Sequence, residues 1–109
     1  MNITHNTLYE PDDFAKIIAK NTNKILVLVY SQNSKGCYNL TYVSYLKFTD
    51  NNNLYNDIKN VIKNFDGGCF EVGLNNEFIE IRFPNTIIEI SNIPNFNLIN
   101  EKELIKSIN

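Results

Sequence analysis

From Cys69 to Ser91 apolar and polar residues alternate in three short runs, and a period of two restricts this segment to extended backbone. Asn75-Asn76 and Pro84-Asn85 separate the runs. Asparagine tolerates the positive φ that two-residue hairpin turns require, so the segment reads as a three-stranded meander. Two-residue loops in both places fix the pairing. Leu74 then faces Glu77, Val72 faces Ile79, and Phe70 faces Ile81. Across the second turn Ile81 faces Ile88 and Ile79 faces Ile90. Phe70, Val72, Leu74, Ile79, Ile81, Ile88 and Ile90 therefore form one apolar face of the meander, which needs a cover. The other face receives Glu71, Glu80 and Glu89 in a single row across the three strands, with Phe78, Arg82 and Ile87 beside them.

The rest of the chain supplies the cover. Glu10-Pro11-Asp12-Asp13 has the proline and acids of a helix start, and Phe14, Ile17 and Ile18 make an apolar stripe that ends near Asn21. Ile25 to Tyr30 is a continuous apolar run whose length suits a strand covered on both faces. After a polar connection, Cys37 to Thr49 alternates as a long strand. Tyr38, Leu40, Tyr42, Leu46 and Phe48 fall on one side, and Asn39, Thr41, Val43, Tyr45 and Lys47 on the other. Asp50 to Asn53 offers a cap for the clearest helix, built on Leu54, Ile58, Val61, Ile62 and Phe65 and stopped at Gly67-Gly68. Asn100 caps a last helix with Leu104, Ile105 and Ile108 on its apolar side. The order is α-β-β-α-β-β-β-α, with one further strand expected within Asn2 to Leu8. These elements predict one α+β domain over residues 1–109. Its sheet is mainly antiparallel, contains the meander at about 69–91, and has its helices packed on one face.

Ten basic and twelve acidic residues argue against a nucleic-acid-binding surface. The two signs are segregated, however. Residues 14–65 carry a net +5 and residues 66–90 a net −4. The longest apolar run has six residues, too short to span a membrane, and the first residues lack a secretory pattern, so a cytoplasmic protein is expected. In that compartment Cys37 and Cys69 stay as thiols, each expected to be buried at a strand start. Their spacing does not make a zinc site. His5 is the single imidazole and has no flanking motif. No glycine-rich segment precedes a helix as a phosphate loop does. The reading is a non-enzymatic chain with no catalytic residues, metal or cofactor. The 20 asparagines mark loops and caps rather than chemistry.

Two resemblances follow from particular residues. The strand Ile25–Tyr30 followed by Ser34-Lys35-Gly36-Cys37 is similar to the strand and C-x-x-C site of thioredoxin-like proteins. Phe83-Pro84-Asn85-Thr86 looks like that family's cis-proline turn. The alternative function is thus a degenerate thioredoxin-like protein with a lone cysteine, although Ser34 replaces the first cysteine and a strand pattern replaces the helix after Cys37. The size, the Asn-, Ile- and Lys-rich composition and the Glu71-Glu80-Glu89 strip resemble the immunity proteins of bacterial contact-dependent growth inhibition systems. That resemblance implies a cognate toxin domain, a basic nuclease, whose active site is covered through an acidic surface. It implies no direct contact with nucleic acid. An acidic surface suits such a partner because a nuclease cleft is built to attract phosphates. The expected partner-binding residues are Glu71, Phe78, Glu80, Arg82 and Glu89, and exposed Tyr45 and Tyr55 are further anchors.

Overall fold

Strand β1 (Ile25–Gln32) organises the molecule because five consecutive residues, Ile25 to Val29, are buried in it. Successive side chains of a strand point to opposite faces, so burial of all five requires a cover on each side. In the computed structural model, which describes residues 11–65 and 68–109, each side has one. Helix α1 (Pro11–Thr22) lies over Leu26 and Leu28. Helices α2 (Asn51–Phe65) and α3 (Glu101–Ile108) cover Ile25, Val27 and Val29 on the other face. The expectation of helices on one face thus describes α2 and α3, while α1 sits opposite them.

The remaining strands are β2 (Tyr38–Leu46), β3 (Glu71–Leu74), β4 (Phe78–Arg82) and β5 (Thr86–Ser91). Together they form a five-stranded sheet in the order β2-β1-β5-β4-β3, with every neighbouring pair antiparallel. The hairpin β1–β2 and the meander β3–β4–β5 are joined through the β1–β5 pairing, and α2 carries the chain between them. The apolar face of the meander is as expected, with Ile79, Ile81, Ile88 and Ile90 fully buried under α2 and α3. A 3-10 turn at Phe96–Leu98 precedes α3. The expected strand in Asn2 to Leu8, and His5 with it, lies outside the described residues.

The caps act as their residue types dictate. Asp50 Oδ1 accepts the Asn53 N–H at 2.8 Å, and Asn100 Oδ1 accepts the Glu103 N–H at 3.0 Å. Asn23, Asn92 and Asn95 are the non-glycine residues with positive φ among those described, and asparagine is the side chain that tolerates this region best. Gly68, at φ +85°, follows α2; Gly67 lies outside the described residues.

Within α1 and β2 the faces differ from those the residue spacing predicts. In α1 the buried side chains are Ala15 and Ala19, whereas Ile17 and Ile18 are 42% and 48% exposed. Small residues let the helix approach the sheet closely, and that proximity outweighs the larger apolar residues on the neighbouring arc. In β2 the pairing with β1 shifts between Val29 and Tyr30, leaving Thr41 as an extra residue. Such a bulge exchanges the two faces of a strand. Leu40 therefore joins Val43 and Tyr45 against α1, while Tyr42, Ser44 and Leu46 turn toward the α2 side.

Candidate protein-interaction face

Helix α1 covers β1 and β2, and among the described residues no helix lies over the same face of β5, β4 and β3. This uncovered half of the sheet holds the residues that the alternation singles out. The β4–β5 turn is Pro84-Asn85 as expected, closed by the Phe83 N–H donating to Thr86 O at 2.8 Å, and Glu80 stands directly opposite Glu89. The β3–β4 turn differs. Asn75 donates its N–H to Phe78 O at 2.9 Å, so Asn76 and Glu77 form the loop in place of Asn75 and Asn76. Moving the loop by one residue shifts the pairing by two. Faces are thereby preserved while partners change. Leu74 pairs with Ile79, Gly73 with Glu80, and Glu71 with Arg82. The row of three carboxylates becomes a facing pair, Glu80 and Glu89, with Glu71 offset beside the one cation of the strip.

Like charges on directly opposed residues destabilise a sheet, and each carboxylate of the pair has a local counterion. Both Arg82 Nη2–Glu80 carboxylate distances are 3.3 Å. Lys16 Nζ reaches down from α1 to Glu89 Oε1 at 3.7 Å. Glu89 is the less accessible, its side chain 16% exposed, because α1 stands beside it. That burial raises its pKa above the ordinary carboxylate value. Lys16 opposes the shift, and Asp12 and Glu80 add to it. Beside the same helix edge stands Tyr30 of β1, whose hydroxyl donates to Asp12 Oδ2 at 3.3 Å. Burial, followed by the charges of Glu89 and Asp12, pushes the phenol well above its usual range, so it remains a neutral donor.

Phe78 lies opposite Ser91 and Ile87 opposite Arg82, both half-buried on this face. A groove of about 600 Å³ runs between α1 and the open half of the sheet, lined in part by Lys16, Lys20, Phe78, Glu89 and Phe96. Ser91 also lines it, and its buried hydroxyl has no hydrogen-bond partner among the described residues. Of the two expected tyrosine anchors, Tyr55 is buried in the core against the sheet and Tyr45 is half-covered by α1. Tyr55 is therefore not available to a partner. Lys16 belongs to the site and was not expected in it. The signal was present in the chain's two alanines, Ala15 and Ala19, whose spacing marks the arc of α1 that meets the sheet.

The cysteines are placed differently from the expectation, both being exposed. Ser34 to Cys37 forms the tip of the β1–β2 hairpin. Asn33 Oδ1 accepts the N–H groups of Lys35 at 2.9 Å and Cys37 at 3.0 Å, and Gly36 takes φ +83°. The chain passes from Cys37 directly into β2, where a thioredoxin-like arrangement has a helix, and the peptide bond before Pro84 is trans. Among the described residues no group of three His, Cys, Asp or Glu side chains is arranged to hold a metal ion, and no helix is long and apolar enough to cross a membrane. Comparison with protein-family models, with curated proteins and with solved structures finds no match to this chain.

Proposed function

We propose that this protein is a non-enzymatic, protein-binding inhibitor of the immunity type, which neutralises a cognate toxin, a basic nuclease, by covering its active site. The observation that carries the reading is the half-sheet beside α1. It presents Glu71, Glu80 and Glu89 on one face together with the apolar contacts Phe78 and Ile87, and among the described residues no helix covers it. Glu77 stands in the adjoining turn. The ion pairs of Glu80 and Glu89 hold the carboxylates in place in the free protein without committing them. Pairs of this kind contribute only about 0–1 kcal/mol, so a cationic partner can take over from Arg82 and Lys16 at little cost. Complementary charge then selects the partner and speeds association, and the apolar residues between the carboxylates supply the water-excluding contact.

Affinity capture from the native host, eluted stepwise in salt, tests this with wild type beside Glu71→Lys/Glu80→Lys. The expected result is a basic protein that binds wild type, leaves in high salt, escapes the double variant, and loses nuclease activity when wild type is added back. Capture indifferent to both salt and the two substitutions, or a captured protein whose activity is untouched, would overturn the proposal.

A further inference from the structure

The two edges of the sheet are unlike. Strand β3 is four residues long and carries Glu71, and short, charged edges resist pairing with other chains. Strand β2 is nine residues long, and Tyr38-Asn-Leu-Thr-Tyr-Val-Ser-Tyr-Leu46 contains neither a charge nor a proline. Among the described residues it pairs only with β1, which leaves one row of its backbone N–H and C=O groups facing outward. The bulge at Thr41 is pinned from within, its hydroxyl lying 3.3 Å from Val29 O and 3.2 Å from Ser31 Oγ. Beyond it, Tyr42 to Leu46 is regular strand. Beside this segment, between β2 and α2, is an open groove of about 520 Å³, with Val27 and Val29 in its floor and Tyr42, Val61 and Phe65 around it. Tyr42 is 57% exposed and Tyr38 38% exposed.

We infer that the outer edge of β2 pairs antiparallel with β2 of a second copy of this chain, extending the sheet across a two-fold axis. The sequence of the strand favours this occupant. An isologous interface sets a surface against itself, so any charge near the axis meets its own like. Here none does. With the axis at Ser44, Tyr42 lies opposite the partner's Leu46 and Val43 opposite the partner's Tyr45, aromatic with aliphatic in both cases. Lys47, the first charge beyond the strand, lies opposite the partner's Thr41. Opposed residues in an antiparallel pair share a face, so both α2 helices and both apolar grooves come to one side of the joined sheet. A net charge of only −2 adds little long-range repulsion between copies. The acidic half-sheet lies toward the other edge and stays open in this dimer, so the inference is independent of the proposed function.

Sedimentation velocity over a concentration series tests it, with wild type beside Tyr42→Lys. Wild type is expected to shift from the 12.6 kDa monomer to twice that mass. Tyr42→Lys, which replaces the aromatic ring of both Tyr42–Leu46 cross-strand pairs with a charge at an exposed position, should weaken the association about tenfold. Glu71→Lys, at the opposite edge, should leave it unchanged. Hydrogen exchange provides a second measurement that needs no variant, because the backbone amides of residues 42–46 should become more protected as concentration rises. A chain that stays monomeric to about 1 mM overturns the inference, since weaker association is not a specific interface. So does a dimer that Tyr42→Lys leaves intact, or one whose β2 amides exchange as fast as the monomer's.

Discussion

Asn92 joins the acidic half-sheet to the helix beside it, and replacing it isolates what holds α1 in place. The residue follows β5 in the left-handed region at φ 60°, and its Nδ2 donates to Ala19 O at 3.0 Å and Lys24 O at 2.7 Å. Those carbonyls belong to the end of α1 and the residue leading into β1. There Asn23 is left-handed, and the Lys24 N–H returns to Ala19 O at 3.1 Å. Two bonds at roughly 0.5–1.5 kcal/mol each give about 1–3 kcal/mol for the side chain. The backbone adds a separate contribution, since an alanine in the left-handed region costs roughly 1–2 kcal/mol and a glycine pays almost none of it. Asn92→Gly should therefore cost about 1–3 kcal/mol and Asn92→Ala about 2–5 kcal/mol. Asn92→Asp, which sets a carboxylate against two carbonyl oxygens, should be at least as harmful as alanine at neutral pH and milder when protonated. In urea, where a domain of this size loses about 1–3 kcal/mol per molar, the alanine variant should move the midpoint by about 1–2 M. Its α1 amides should exchange faster than those of α2. Equal losses below about 0.5 kcal/mol for glycine and alanine would refute both halves of the argument, because neither the bonds nor the conformation would then matter.

Other substitutions test neighbouring points. Glu89→Gln should stabilise the protein at neutral pH. Burial raises the pKa of Glu89 in the folded state above its unfolded value, so the ionised group costs stability above the folded pKa and costs nothing below the unfolded one. The gain should fade as pH falls toward the ordinary value of 4.5, and denaturation at pH 7 and pH 4 reads the difference; a less stable variant at pH 7 would mean that the Lys16 pair outweighs burial. In α1, Ile17→Lys should change stability by no more than about 0.5 kcal/mol, while Ala19→Leu, forcing a larger side chain against the sheet, should cost about 1–3 kcal/mol in thermal unfolding. Asn100→Ala removes the cap of α3 and should cost about 1 kcal/mol, with Asn100→Ser recovering most of it.

Much of the fold is legible in the residues because local periodicity and local chemistry decide it. The meander, the apolar face of Ile79, Ile81, Ile88 and Ile90, the helix on Leu54, Ile58 and Ile62, and the caps at Asp50 and Asn100 each follow from side-chain spacing or from one side chain meeting its own backbone. The continuous run Ile25 to Val29 requires a strand with a cover on both sides. It does not say which helix provides the second cover. That choice depends on the approach distance between α1 and the sheet, which Ala15 and Ala19 permit and the larger Ile17 and Ile18 do not. Pairing is less local still. Asn75-Asn76 and Asn76-Glu77 are both acceptable as a two-residue turn, and only the fit of Val72 and Leu74 against Ile81 and Ile79 chooses between them. The consequence at the site is that Glu71 faces Arg82 instead of Glu80. The bulge at Thr41, held by bonds to Val29 and Ser31 on the neighbouring strand, has no signature within β2 itself. The sequence by itself determined which residues share a face of the meander, since a strand's period is two and the loop shift preserved it. Only the tertiary structure decided which carboxylates stand opposite each other, which cations answer them and where α1 lies, because these depend on contacts between segments far apart in the chain.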